Sequence, residues 1–579
     1  MQSKIAKIKL SMIKAIYKLL QSNWCLIILI LLAPVFFAIY SWLPQQTLGQ
    51  GVYQFNSPDE TGNFFWSKRF AAGQSLYVEE PLELPGNNLI RLRGTNVADG
   101  KLVPGSFLGL NFIYGTLGYL FGEEVIPYLT PLFAVVGVLF FYALIALVFD
   151  KRIALISALL ACSMPGWLYL ANRSMYHNVL FVSLLMVGIY LLYKVFITGY
   201  RLPVTRYILY ALAGLFVGLA LITRMSELGW VFLILLLLFI FNFKRINWAG
   251  FTLFASFLLI TFVPVIGTNL ILYHAPFSIG YDTGLAGEFE TLITQAPLLF
   301  RLLVSPFGID LSSIGINGVN YLILFFWWLT WPALFGFIFW LFSRPGRRQP
   351  EQTEDSPTLP RMIKDKKRQW AYFVIMLVVT CYLLIFYGSW QLTDRIDEQS
   401  VFIGTSYVRY FLPIYMMLLV YVAFLINSFI KIFRYSWAKL IIAFLSIIFF
   451  AIPSYLVAFF SGDESLIALR ETLKVQEIKA EKARQALPEE SVVVAGFKQA
   501  DKIFFPERRV IPELAVPHDY ESLASLAKIR SLYYYHFAPT TTVEFISRRD
   551  FEPYGLKIQA ASSTVIFNNE RLYPVVVSH

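Results

Sequence analysis

Apolar runs about as long as a bilayer is thick, separated by short polar stretches, set the rhythm of this chain from residue 24 to residue 460. A helix needs roughly 20 apolar residues to cross the hydrocarbon core. The pattern predicts about eleven such spans, near 24–43, 125–149, 153–171, 178–197, 207–223, 228–243, 249–273, 319–342, 370–389, 408–428 and 438–460. One further apolar stretch, "FLGLNFIYGTLGYLFG" (107–122), is short and glycine-rich. It reads as a membrane-skimming or re-entrant helix within a long polar loop, 44–124.

The basic residues orient these runs, because cytoplasmic loops are enriched in Lys and Arg. Lys4, Lys7, Lys9, Lys14 and Lys18 precede the first run and place the N-terminus in the cytoplasm. With 107–122 left out of the count, Lys151 and Arg152, Arg201 and Arg206, and Lys244 and Arg245 all fall inside. So do the proline- and charge-rich linker 343–369 and the cluster Lys431, Arg434 and Lys439. An odd number of spans leaves the C-terminus outside. The reading is a multi-pass protein of an inner or plasma membrane, its first span uncleaved because no small-residue cleavage site follows it.

After residue 460 the pattern changes. "DESLIALRETLKVQEIKAEKARQAL" reads as helix, while "SVVVAGFKQADKIFFPERRVI" and "RSLYYYHFAPTTTVEFI" hold β-branched and aromatic runs that read as strands. The fold class is thus a polytopic α-helical membrane protein with a small extracytoplasmic α/β domain, divided as 1–460 and 461–579.

Composition agrees: of 579 residues, 57% are hydrophobic and 15% charged, against roughly 25% charged in soluble domains. The net charge of +11 implies no nucleic-acid partner, since topology already explains where the basic residues lie. Three scattered cysteines, all in apolar segments, make neither a disulfide framework nor a zinc site. No matched pair of Gly- or Pro-broken segments marks two inverted halves, which weighs against a transporter.

The ionisable residues that topology does not explain gather at the outer ends of spans. They are Asp59 and Glu60, the stretch "NRSMYHN" (172–178), Arg224 and Glu227, Arg409, and His274, Asp282, Glu288 and Arg301 of the 274–318 loop. Such groups need partners or a watery cavity, so their gathering defines a candidate site. Each has a plainer reading. In "SPDETGNFFWSKRFAAG" (57–73), Ser57, Pro58 and Glu60 make a helix start with a capping box, and Asp59 suits the helix dipole. The two readings are compatible, because a carboxylate at a helix N-terminus is favoured in its ionised, proton-accepting form. Arg224 and Arg409 can snorkel to lipid headgroups. His177 and His274 read as interfacial hydrogen-bonders, and Asp394, Arg395, Asp397 and Glu398 as a solvated loop.

Together, "SPDETGNFFWSKRFAAGQSLY", the stretch ending "YLFG", the span ending "LVFDKR", "LLVSPFGIDL" and "VRYFLPIY" resemble the GT-C membrane glycosyltransferases. The nearest parallels are the protein O-mannosyltransferase-like and aminoarabinose-lipid A transferase-like branch. The resemblance implies a polyprenyl-phosphate-linked sugar donor and a protein, lipid or glycan acceptor whose hydroxyl receives the sugar at the outer face. It gives Asp59 the role of base or acceptor-orienting carboxylate, with Glu60 as its neighbour. Arg409, with Tyr410 beside it in the "RY" element, becomes a clamp for the lipid phosphate. Arg224 stands where that branch has a lysine. Lys101 of "GKLVPGSF" fills the branch's first-loop lysine position only with a shift. His177, Glu227 and His274 complete the candidate substrate-binding set.

No cofactor is implied. A monophosphate leaving group served by arginines does not require a metal, though the pattern leaves a divalent metal open. Two other readings stay in view. One is an O-antigen ligase or polymerase with a diphosphate-linked donor and key residues in a late outer loop. The other is a transporter or lipid flippase, which calls for ionisable residues at mid-bilayer.

Overall fold

The computed structural model describes residues 23–51, 54–82, 88–198, 202–278, 308–343, 366–391, 400–497, 500–512 and 519–578. The N-terminal lysines, Arg201, Asp282, Glu288, Arg301, most of the 343–369 linker and the acidic loop around Asp394 lie outside them. Among the described residues nine helices are long and apolar enough to cross a membrane, and two bent pairs bring the total to eleven. The expected helical membrane fold is therefore present.

Two expected spans are not straight. The run read as 153–171 forms Lys151–Ser163 and Pro165–Asn172, bent by 52°. Pro165 forces Met164 into extended backbone (ψ 126°), which ends the first helix. The run read as 319–342 begins at Leu311 and turns by 87° between Leu324 and Trp327. There a π-helical segment, Val319–Leu324, leads to Phe326 at φ −113°, ψ 47°, a bend of the kind such irregular turns produce. Aromatic side chains fill the core: Trp167, Tyr169, Tyr210, Tyr415 and Tyr421 are almost wholly buried. The helix Ser436–Phe460 instead leaves Leu440, Phe444, Leu445, Phe449 and Leu456 exposed, a stripe suited to lipid rather than water.

The first loop is built, not slack. Helix Pro58–Ala71 starts with the expected capping box: Ser57 Oγ accepts from Asp59 N at 3.2 Å, and Glu60 Oε2 accepts from Ser57 N at 3.0 Å. Helix Leu108–Phe121 lies against it, with Ser67 Oγ donating to Asn111 Oδ1 at 3.2 Å and Phe70 meeting Phe112 edge-on at 5.3 Å. At 14 residues and 1.5 Å per residue this helix falls short of a roughly 30 Å core. Its end exposes Tyr119, Leu120 and Phe121. Between the two helices, strands Thr95–Ala98 and Lys101–Pro104 form a hairpin, with Val78–Glu79 on its far edge. Asp99 and Gly100 both take positive φ at its tip, as a two-residue hairpin turn requires.

The C-terminal part is a mixed α/β unit. Its sheet runs Arg509–Pro512, Val492–Ala495, Leu532–His536, Glu570–Val577, Leu556–Ile558, and Thr564–Phe567 also pairs with Glu570–Val577. The first three strands are parallel and the rest antiparallel. Helix Leu466–Ala486 is where the sequence put it. The segment "TTTVEFI", read as part of a strand run, is the helix Thr540–Ile546. Pro539 opens that helix and Val543 is buried beneath it, so packing overrides β-propensity.

Candidate active site

Asp59 occupies the first turn of the Pro58–Ala71 helix, so the capping box that fixes the helix start also fixes its carboxylate. The side chain is 31% exposed, and Oδ2 lies 3.8 Å from Nη1 of Arg409. Arg409 sits in the short helix Ser406–Tyr410, immediately before the span Leu412–Ile432. Its guanidinium lies over the rings of Tyr176 and Tyr410, 5.0 and 5.1 Å from their centres, and Nη2 donates to Ser406 Oγ at 2.8 Å. Planar aromatic faces hold a guanidinium in one orientation without cancelling its charge.

Arg224 reaches the same place from the break between the spans Pro203–Thr223 and Met225–Arg245. Its Nε donates to Glu227 Oε1 at 2.8 Å and its Nη2 to the Tyr387 hydroxyl at 3.0 Å. Tyr387 in turn donates to Glu227 Oε1 at 2.6 Å and stacks on Tyr410 at 4.1 Å. Arg224 lies 5.3 Å from the Tyr410 ring centre, so one tyrosine carries a guanidinium contact from both arginines. Asn178 ties the two arginines together: its Nδ2 donates to the Arg409 carbonyl at 3.0 Å and its Oδ1 accepts from Arg224 Nη1 at 3.3 Å. Chain segments separated by hundreds of residues thus converge on one cluster of two carboxylates and two guanidiniums.

Close packing sets this convergence. Gly109 of the skimming helix lies directly on the backbone of Ile222 and Thr223, where a Cβ would collide with the Ile222 carbonyl group. Gly94, at φ +86°, lies against Pro58, and a Cβ there would stand 3.2 Å from Asp59 Oδ1. Both glycines let a neighbouring segment pass close to the cluster.

The other candidates divide. Glu60 is 1% exposed and fully engaged, capping Ser57 N and pairing with Arg173, whose Nε reaches Oε1 at 2.9 Å and whose Nη2 bonds Oε2. Arg173 also donates to the hydroxyls of Tyr169 and Tyr176 at 2.7 and 3.0 Å. Both oxygens of Glu60, expected beside Asp59 in catalysis, thus accept bonds that hold the helix start. His177 is buried with Nε2 3.2 Å from the Phe107 carbonyl, pinning the entry to the skimming helix. His274 pairs with Asp99 at 2.7 Å, both well exposed, at the hairpin tip. Lys101 lies over Tyr77 at 4.6 Å. The contacts of His274 and Lys101 lie along the hairpin, not with Asp59, Arg409 or Arg224, because the two residues stand at or beside its far end.

The structure adds residues that sequence reasoning missed. Asp501 of the C-terminal domain takes the Arg93 guanidinium at 3.0 and 3.1 Å and the Arg93 backbone N–H at 3.0 Å. Its neighbour Lys502, 1% exposed, donates to the Asn56 carbonyl, one residue before the cap. Burial pulls the Lys502 ammonium down to about 8, with Asp501 pulling the other way. The two residues therefore grip both strands of chain that flank Asp59. Arg509 adds a charge pair to Glu80 at 2.9 Å, and Phe505 packs edge-on against Phe65 at 5.0 Å.

Among the described residues, no group of three His, Cys, Asp or Glu stands close enough to hold a metal ion. No protein-family model and no curated protein matches the sequence. Solved structures do match in fold. ArnT from Cupriavidus metallidurans bound to undecaprenyl phosphate superposes with a TM-score of 0.54 at 10% identity, over 96% of this chain and 98% of that one. The oligosaccharyltransferase of Archaeoglobus fulgidus in its apo form superposes with a TM-score of 0.50 at 14% identity, over 90% of this chain and 70% of that one. The chain has the fold of the GT-C membrane glycosyltransferases.

Proposed function

We propose that the protein is a glycosyltransferase that moves a sugar from a polyprenyl-phosphate donor to an acceptor hydroxyl at the outer membrane face. One observation carries this reading: the Asp59 carboxylate stands 3.8 Å from the Arg409 guanidinium, with Arg224 just across Tyr410. The fold shared with ArnT, a protein seen with undecaprenyl phosphate, supports a donor of that lipid class.

In this mechanism Asp59 accepts the proton of the acceptor hydroxyl as its oxygen bonds the anomeric carbon. The bond from that carbon to the donor phosphate oxygen breaks, and the polyprenyl phosphate leaves with the electron pair. The phosphate goes from a diester with one charge to a monoester with a second, and the partly buried Arg409 and the buried Arg224 balance that developing charge. Attack opposite the leaving group inverts the sugar carbon. Glu60 and Arg173 act by holding the helix start, while Tyr410 spaces the two arginines. An apolar cavity of about 130 Å³ supports a place for part of the prenyl chain. It runs from Trp230 and Pro413, beneath the cluster, along Leu185, Met186 and Ile234.

The test is incubation of purified protein with radiolabelled polyprenyl-phosphate sugars and candidate acceptors. Wild type is expected to transfer label, and Asp59→Asn, with unchanged folding, to lose about 10²–10⁴ in rate, the usual worth of a positioned base. Full activity in that variant ends the assignment of Asp59.

A further inference from the structure

At the end of the bundle away from Asp59, the ends of spans and their flanking residues enclose a second cavity, of about 610 Å³. Asn23 opens the first span, Asp150, Lys151 and Arg152 follow the span that ends at Val148, Arg368 lies in the first turn of Lys366–Gly388, and Lys431 lies in the last turn of Leu412–Ile432. Four cations therefore line it with one carboxylate. That carboxylate is engaged already: Asp150 Oδ1 accepts from the backbone of Arg152 and Ile153 at 2.9 and 3.0 Å. Lys151 Nζ donates to Asn23 Oδ1 at 3.2 Å across the mouth.

Basic residues on this side of the membrane are ordinary, but their convergence is not. Arg206, Lys244, Arg245, Arg434 and Lys439 also flank spans and do not line this cavity. Deeper along the same helices the wall becomes apolar, through Leu26, Ala143, Ala146 and Leu147. A cationic mouth that grades into an apolar wall matches an amphiphile with an anionic head and a hydrocarbon tail. A free anion would have no use for the apolar wall.

We propose that this cavity binds the phosphate of an anionic glycerophospholipid in the leaflet opposite the Asp59 cluster, with an acyl chain along the apolar wall. The phosphate sits among Lys151, Arg152, Arg368 and Lys431, each a charge-assisted donor. None of Asp59, Arg224 and Arg409 lines this cavity; Arg368 alone of its cations also borders the apolar cavity given to the prenyl chain, and neither tested variant changes Arg368.

Native mass spectrometry of the detergent-purified full chain tests it, with phosphatidylglycerol, phosphatidylcholine and inorganic phosphate as probes. Wild type is expected to retain phosphatidylglycerol and not phosphatidylcholine. Arg152→Gln with Lys431→Gln is expected to weaken that retention about thirtyfold, about fivefold for each basic side chain near an anionic group. Arg434→Gln with Lys439→Gln, which removes equal charge outside the cavity, is expected to leave it unchanged. Both residues of the first pair are exposed. Should the pair fail to fold, Lys431→Gln alone carries the test with a fivefold loss. Equal retention of the two lipids, undiminished retention in the cavity variant, or an equal loss in the control pair overturns the proposal. So does displacement of the lipid by millimolar inorganic phosphate, which marks a free-anion site.

Discussion

Arg409 and Arg224 have different surroundings, and this difference predicts different roles. Arg224 is already matched by Glu227 at 2.7 Å, whereas Arg409 has its carboxylate partner at 3.8 Å and partly in solvent. Arg409, 19% exposed against 9% for Arg224, is thus the guanidinium more accessible to an incoming phosphate. Arg409→Lys keeps the charge but loses the planar fork and its stacking between Tyr176 and Tyr410. Steady-state kinetics are expected to show a lower kcat for this variant, while Tyr410→Phe, which keeps the ring, stays close to wild type. Arg173 offers a separate stability test. Arg173→Ala leaves Glu60 buried without its counter-charge, at a cost of about 3–5 kcal/mol, visible as a large fall in the melting temperature of the purified protein. Arg224 and Arg409 stood out in the sequence because each is an ionisable group at the end of an apolar run, where it needs a reason, and Asp59 because of the acidic helix start "SPDE" beyond the first run. Arg173 lay in a stretch already noted, but its partner could not be read, since nothing in sequence spacing joins residue 60 to residue 173.

At the scale of elements, the first loop positions Asp59 through short, stiff pieces. The capping box was readable from "SPDE" because it is local chemistry. The hairpin over 95–104 also carried a local signal, Asp99-Gly100 between β-prone residues, yet a long polar loop hid it. Likewise Pro165 announced the 52° bend that an unbroken apolar run concealed. Gly94 connects the hairpin to the helix. Gly94→Val must place a branched side chain at φ +86° against Pro58 and Asp59 Oδ1. The strain is of order 1–3 kcal/mol, and the expected readout is a fall in kcat together with melting temperature. Lys502 supplies a pH test. Its pKa is lowered from 10.5 to about 8 on folding, so between those values the unfolded chain binds more protons than the folded one. The cost of burying the ammonium is complete below pH 8 and is relieved as pH rises towards 10.5, with a limiting slope of about 1.4 kcal/mol per pH unit. The melting temperature of wild type relative to Lys502→Met is therefore expected to climb from pH 8 to pH 10. A constant difference across that range would show that Lys502 does not titrate there.

Over the whole molecule, the C-terminal domain is part of the site's architecture. Asp501 and Lys502 clasp Arg93 and Asn56, on either side of the helix that bears Asp59. The sequence showed that a mixed α/β unit followed the last span, because strand and helix periods are local. It did not show that this unit closes over the first loop, because charge pairs across some 400 residues leave no periodic trace. The spans were legible for the opposite reason, since a bilayer imposes one length on every crossing. The central claim is that an acidic group on the first loop and arginines from two distant spans serve one reaction centre. The most direct measurement is an experimental structure of the protein with a polyprenyl phosphate bound. The account predicts phosphate density within hydrogen-bonding distance of Arg409 or Arg224, on the side facing Asp59, with the chain entering the apolar cavity below Trp230. A phosphate held elsewhere, with Asp59 turned away from it, would contradict the account.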